Sequence, residues 1–213
     1  AVWKNRGIVC FGKNLADVQI VADISEHAIK AIQQGEKLGG WQALPQKNLF
    51  EMEYWELEQA KLKKADSSKP FQGKIALVTG AASGIGKACV ESLAKEGAVV
   101  AALDINPAVE KMFKQSGVLG IACDVTNESK LKKAVEQTVK RFGGLDLLVS
   151  NAGVFSKSAA IAELDDETWE QSMALNLNSH RLLLKACLPY LEHGIAPSIV
   201  IVGSKNVPAP GPG

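Results

Sequence analysis

The sequence carries no excess of charge: 24 basic and 23 acidic side chains leave a formal net charge of +1. A nucleic-acid binder needs a basic surplus, so no nucleic-acid partner is expected. No apolar run approaches the roughly 20 residues that span a bilayer, so no membrane association is expected either. Cysteines are few and far apart: Cys10, Cys89, Cys123 and Cys187 form no CxxC pair. No secretory apolar stretch precedes them, and they read as reduced, buried thiols of a cytoplasmic protein. The start shows no targeting pattern, and no repeat of solenoid period occurs. What is present is globular in character. With 46% hydrophobic and 22% charged residues, the chain is too apolar and too weakly charged for disorder. Nineteen glycines against 8 prolines suit a packed domain with functional turns.

Three zones follow. Residues 1–64 hold a short apolar segment, a helical pattern from Leu15 to about Gln34, and a run rich in Trp and Glu. Residues 65–72 are polar and breaker-rich and read as a linker. Residues 73–213 alternate short apolar runs with amphipathic stretches. Strands are expected at Lys74–Thr79, Val99–Leu103, Val118–Cys123, Leu145–Val149 and Ser198–Val202. Helices are expected at Gly84–Glu96, Pro107–Ser116, Glu128–Phe142 and Asp166–Leu191, the last broken near Leu177. In Glu128–Phe142 the spacing of Leu131, Ala134, Val135, Thr138 and Val139 has the 3.6-residue period of a helix face. Strands apolar on both faces and separated by helices imply an α/β fold. The expected fold class is a Rossmann-type doubly wound parallel sheet flanked by helices. A small N-terminal α/β remnant precedes it.

The most informative segment is Thr79-Gly80-Ala81-Ala82-Ser83-Gly84-Ile85-Gly86, between a strand and a helix. Its glycines permit a tight turn, close approach of backbone to a pyrophosphate, and close helix–strand packing. The free N–H groups and positive dipole end of the following helix would hold phosphates. The same turn could also join strand to helix with no ligand. Asp104 ends the second strand, 18 residues after Gly86. An acidic side chain there accepts from a ribose 2′-OH and repels a 2′-phosphate, which points to NAD over NADP. A helix-capping Asp is the plainer alternative.

These residues, with Cys123-Asp124-Val125, Ser150-Asn151-Ala152-Gly153, Leu175-Asn176-Leu177 and Ile199-Val200-Ile201-Val202-Gly203-Ser204, resemble the short-chain dehydrogenases/reductases. The resemblance implies hydride transfer between NAD and a carbon bearing a hydroxyl, on a sugar, polyol or small aldehyde or alcohol. It implies that Gly80, Ser83, Gly84, Ile85, Gly86 and Asp104 bind cofactor. Asp124 would accept from the adenine amino group, and Val125 would pack beside the ring. Asn151, Ala152 and Gly153 would let the cofactor pass close to the backbone. Ser150 departs from the commoner Asn. Asn176 would hold a water in a proton relay at an irregularity in the long helix, and Ser204 would bond the substrate oxygen. The helix Asp166–Leu191 is the element that such proteins use to pair subunits, so a homo-oligomer is expected.

The resemblance also implies a Tyr-x-x-x-Lys pair about a dozen residues beyond Ser204, whose Lys favours the phenolate. Tyr54 is followed four residues on by Glu58 and Tyr190 by Gly194, so neither supplies it. The expectation is a larger polypeptide, with the Pro-rich end after Val207 a loop over the site. Asn5-Arg6-Gly7-Ile8-Val9-Cys10-Phe11-Gly12 and Met52-Glu53-Tyr54-Trp55-Glu56-Leu57-Glu58-Gln59-Ala60-Lys61-Leu62 resemble the end of a class II aldolase domain. The combined layout resembles the bifunctional rhamnulose-phosphate aldolase/alcohol dehydrogenase proteins. That resemblance implies a zinc-ligating His where Arg6 stands.

Two other functions stay open: a catalytically silent nucleotide-binding or assembly module, and a methyltransferase binding S-adenosylmethionine. Trp41, Met52, Tyr54 and Trp55 are expected to pack the leading zone against a neighbouring domain. His27, beside Glu26 in a helical pattern, reads as an ordinary helix residue. An arginine is donor-only and permanently charged, so Arg6 cannot ligate a metal. Elemental analysis of the purified chain is therefore expected to find less than stoichiometric zinc.

Overall fold

The computed structural model describes residues 1–53, 69–156 and 159–204. Tyr54 and Trp55, residues 56–68, and the Pro-rich end from Lys205 lie outside the described residues. Two compact units divide the chain, Ala1–Pro70 and Phe71–Gly213.

The first unit begins with a small antiparallel hairpin of β1 (Val2–Trp3) and β2 (Gly7–Ile8). Its turn places Asn5 at φ 60° and Gly7 at φ 119°, the left-handed region that Asn and Gly tolerate best. Arg6 sits exposed in that turn. Helix α1 (Leu15–Lys37) starts at Asn14, whose side-chain oxygen accepts from the Asp17 N–H at 2.9 Å. No residue of α1 is buried. His27 is exposed, with its Nδ1 at 2.8 Å from the Asp23 carbonyl oxygen. Helix α2 (Gln46–Glu53) follows.

The second unit is a five-stranded, all-parallel sheet with helices on both faces. In chain order its elements are β3 (Ile75–Thr79), α3 (Gly84–Lys95), β4 (Val99–Asp104), α4 (Val109–Met112), β5 (Val118–Ala122), α5 (Glu128–Phe142), β6 (Leu147–Ser150), α6 (Asp166–Met173), α7 (Ser179–Leu191) and β7 (Ser198–Ile201). A π-helical turn, Ala174–Asn178, joins α6 to α7 without a break. The strand order is β5-β4-β3-β6-β7. The order reverses between β3 and β6, and the crevice at such a switch point is where doubly wound sheets bind ligands.

Side chains of successive strand residues point to opposite faces, and the core divides accordingly. Leu77, Leu103 and Leu148 face Leu131, Val135, Leu183 and Cys187 of α5 and α7. Ala76, Val78, Val100 and Ala102 face Val90 of α3 and Val109 of α4. Both faces of the central strands are therefore apolar, as parallel sheets require. Burial pushes the Cys187 thiol up to about 12.

Three elements of the second unit differ from expectation by more than one residue. Helix α4 is only Val109–Met112, where 107–116 was expected. Phe113 is extended at φ −99°, ψ 126° and packs on the core, and Gln115-Ser116-Gly117 makes the turn into β5. Strand β6 begins at Leu147 rather than Leu145. Asp146, just before it, is used as a bracket: its carboxylate accepts from Ile75 N–H at 2.8 Å and Ile195 N–H at 2.6 Å. The long helix is not broken near Leu177 but widened there by the π turn.

Leu148, on the interior strand β6, is completely buried. Leu148→Ala is expected to destabilise the second unit by about 2–5 kcal/mol. Urea unfolding should show a lower midpoint at unchanged slope.

Candidate functional site

Thr79 is the last residue of β3 and is buried. Its Oγ1 accepts two N–H groups, from Asn151 and Ala152, both at 3.0 Å. The Asn151 side-chain amide returns the contact, donating to the Thr79 carbonyl at 3.0 Å and the Gly80 carbonyl at 3.4 Å. These bonds latch the ends of β3 and β6 together at the switch point.

Past the latch the chain turns sharply. Gly80 lies at φ 65°, which favours glycine. Gly86 is buried under it: a Cβ there would stand 2.1 Å from the Gly80 carbonyl oxygen and 2.6 Å from the Asn151 amide nitrogen. Only a glycine lets α3 pack so closely on the turn. The start of α3 lacks a side-chain cap, since Ser83 makes no capping bond. Helices α1, α5 and α6 instead begin with Asn14, Asn127 and Asp165 as acceptors. The N–H groups and positive dipole end of α3 thus lack a side-chain acceptor from Ser83.

Asp104 ends β4 and reaches this turn. One carboxylate oxygen accepts from the Ala82 N–H at 2.8 Å and the other from the Asn106 N–H at 2.8 Å. Its pose is fixed by backbone on both sides. Asp124, after β5, is bracketed by Thr126, whose hydroxyl donates at 2.7 Å and whose N–H donates at 2.9 Å. The Thr126 hydroxyl, more than its N–H, holds the Asp124 carboxyl below its usual range against the opposing effect of burial.

A groove of about 750 Å³ runs along these strand ends. The turn after β3 contributes Gly80, Ser83, Gly84 and Ile85. Asp104 lines it after β4, and Asp124 with Val125 after β5. Asn151, Ala152 and Gly153 line it after β6. Among the described residues no Lys or Arg lines the groove.

Three expected site residues lie outside this lining. Gly86 supports the turn from beneath. Asn176, on the π turn, engages the backbone of Val154: its Oδ1 accepts from Val154 N–H at 2.8 Å and its Nδ2 donates to Val154 O at 3.0 Å. Ser204 is exposed, three residues after β7 ends. Residues given no site role by the sequence also matter. Ile105, Cys123, Thr126 and Gln171 line the groove, and Thr79 forms its latch. Burial, more than the charge of Asp124, raises the Cys123 thiol above its ordinary value. Ser150 is buried, with its Oγ at 2.5 Å from Nδ1 of His180, whose ring burial holds below its usual pKa. No group of three His, Cys, Asp or Glu is placed to hold a metal among the described residues.

Residues 74–213 match the short chain dehydrogenase family model. The chain belongs to the short-chain dehydrogenase family. Residues 1–62 match the second domain of class II aldolases. The uncharacterized oxidoreductase YuxG of Bacillus subtilis is 29% identical over 209 residues, 94% of this chain and 30% of that protein. The D-threitol dehydrogenase of Mycolicibacterium smegmatis is 37% identical over 136 residues, 61% of this chain and 52% of that protein. Among solved structures, the Brucella melitensis 3-ketoacyl-(acyl-carrier-protein) reductase complexed with NADH aligns with a TM-score of 0.64 and 30% identity. That alignment covers 67% of this chain and 62% of the reductase. The chain thus spans less than two thirds of the length of each of these proteins.

Thr79→Val keeps the shape of the latch but removes its oxygen. Two N–H groups then lose their acceptor. The expected cost is about 1–3 kcal/mol, read as a lower urea midpoint for the second unit.

Proposed function

We propose that the second unit is the cofactor-binding part of an NAD-dependent oxidoreductase acting on a CH–OH group of a sugar, polyol or small alcohol or aldehyde. The observation that carries this reading is the placement of Asp104. Its carboxylate is fastened to the Gly80–Gly86 turn through the Ala82 N–H at 2.8 Å. It therefore stands beside the start of α3, where Ser83 makes no capping bond. Phosphates belong at that helix end, and a ribose diol belongs against the carboxylate.

The residues present fit a nicotinamide dinucleotide. A Cβ at Gly86 would have no room against the Gly80 carbonyl, so α3 packs tightly on the turn, and the turn meets the groove through Gly80, Ser83, Gly84 and Ile85, which supports a pyrophosphate there. The carboxylates of Asp104 and Asp124, with no Lys or Arg in the lining among the described residues, disfavour a 2′-phosphate and favour NAD over NADP. Asp124 and Val125 are assigned to the adenine, and Asn151, Ala152 and Gly153 to the nicotinamide end. When bound, such a cofactor accepts or delivers the hydride. Asn176 and Ser204 are assigned to the substrate side, Ser204 as a donor to the substrate oxygen. The name of the D-threitol dehydrogenase relative supports a polyol, and the NADH in the Brucella structure supports the cofactor.

A homo-oligomer paired through residues 166–191 stays part of this reading by family likeness alone, since Leu182 and Leu183 of that stretch pack in the core. All four cysteines are free, as suits a cytoplasmic protein, and no described helix is long and apolar enough to cross a membrane.

NADH binding followed by its fluorescence tests this reading. The chain is expected to bind NADH more tightly than NADPH. Asp104→Ser is expected to weaken NADH about tenfold, roughly 1.4 kcal/mol, and to narrow the gap to NADPH. Failure of the unaltered chain to bind NADH, or a preference for S-adenosylmethionine, would overturn the assignment.

A further inference from the structure

His180 is the second residue of α7, just past the π turn. Four residues earlier, on that turn, stands Asn176. Each reaches the same short stretch of chain, which starts at the last residue of β6. His180 holds its first residue, Ser150, through the 2.5 Å contact between Nδ1 and Oγ. Asn176 holds its last, Val154, by both N–H and carbonyl, at 2.8 and 3.0 Å. Between these points Asn151 and Ala152 are tied to Thr79, and Gly153 follows. Residues 150–154 thus form a strap with one helix fastened to both ends and the latch in the middle.

The π turn helps to place both anchors. The Ser179 N–H bonds the Ala174 carbonyl five residues back, and the Ser179 hydroxyl bonds the Leu175 carbonyl at 2.5 Å. That fixes the wide turn from which Asn176 and His180 project.

We propose that His180 is a positioning residue for the cofactor groove: with Asn176 it clamps the strap from Ser150 to Val154, and so sets the spacing between Asn151–Gly153 and the Gly80 turn. This rests on the nicotinamide-cofactor reading, because the strap matters for function through what it presents to the groove. His180 does not line the groove. It acts through Ser150, the residue immediately before Asn151. Burial lowers the ring below its usual pKa and so favours the neutral form, in which one ring nitrogen accepts, the tautomer setting which of the two partners donates.

Three variants test the clamp in this chain. His180→Phe keeps a ring and removes Nδ1. Ser150→Ala removes the hydroxyl. His180→Asn puts an amide atom at the position Nδ1 occupies. The first two are each expected to weaken NADH binding about fivefold, and the double variant no more than the worse single, because both remove one interaction. His180→Asn should restore affinity to within about twofold of the unaltered chain. Hydrogen exchange without cofactor supplies a second readout: the Asn151 and Ala152 amides should exchange faster in His180→Phe and return toward normal in His180→Asn. Unchanged NADH affinity in folded single variants, or losses that add in the double, would overturn the clamp while leaving the cofactor reading intact. If the unaltered chain does not bind NADH, the cofactor reading falls. Unchanged exchange at Asn151 and Ala152 would then overturn the clamp separately.

Discussion

The groove depends on one hydroxyl. Where β3 and β6 part company, sheet hydrogen bonding ends and the two chains must turn away from each other. Thr79 Oγ1 spans that opening by taking both N–H groups of Asn151 and Ala152. The Asn151 amide returns to the Thr79 and Gly80 carbonyls. A backbone N–H left without an acceptor at a buried junction costs more than the bond itself contributes. The latch therefore fixes the distance across the switch point, and the Gly80 turn, Gly86 and α3 are built on it. The glycine at 86 follows from the same constraint, because the Gly80 carbonyl oxygen lies where its Cβ would be.

Charge is distributed unevenly along the groove, as the proposed dinucleotide reading requires. The positive end of α3 meets one side, and the carboxylates of Asp104 and Asp124 meet others. Asp104 is not a free arm. Two backbone N–H groups hold its two oxygens, each at 2.8 Å. A carboxylate oxygen has more than one lone pair, so each can still accept from a diol. The pose is set before any ligand arrives, which lowers the ordering cost of binding. A flexible acidic residue at the same place would give the same charge without that preorganisation.

Much of this was legible in the residues because local rules govern it. Helix α5 runs from Glu128 to Phe142 as its apolar stripe implied, with Asn127 capping one end and Gly143 left-handed at φ 97° at the other. The strand cores at Ile75–Thr79 and Val99–Asp104 are short apolar runs bounded by turn residues. Helix α4 is shorter than the pattern of Pro107–Ser116 implies, because Phe113 turns extended and packs on the core. The latch and the strap were not legible. Thr79 and Asn151 are 72 residues apart, and Ser150 and His180 are 30 apart. No spacing rule joins such pairs; only the fold brings them together. The π turn was readable as an irregularity near Leu177, but not its form, since the sequence around Asn176 contains neither proline nor glycine to mark it.

Serine at position 150 fits the clamp sterically. The ring nitrogen of His180 stands 2.5 Å from Ser150 Oγ, and Ser150 is almost fully buried. An asparagine there, the commoner residue in the resemblance, carries its amide beyond the point where Oγ sits. It would need the space that the imidazole occupies. The short side chain and the ring therefore fit as a pair, each making room for or reaching toward the other. Close-packed interiors do not accommodate an extra two heavy atoms without a shift. A shift at this place would pass directly into Asn151, and from there into the latch with Thr79.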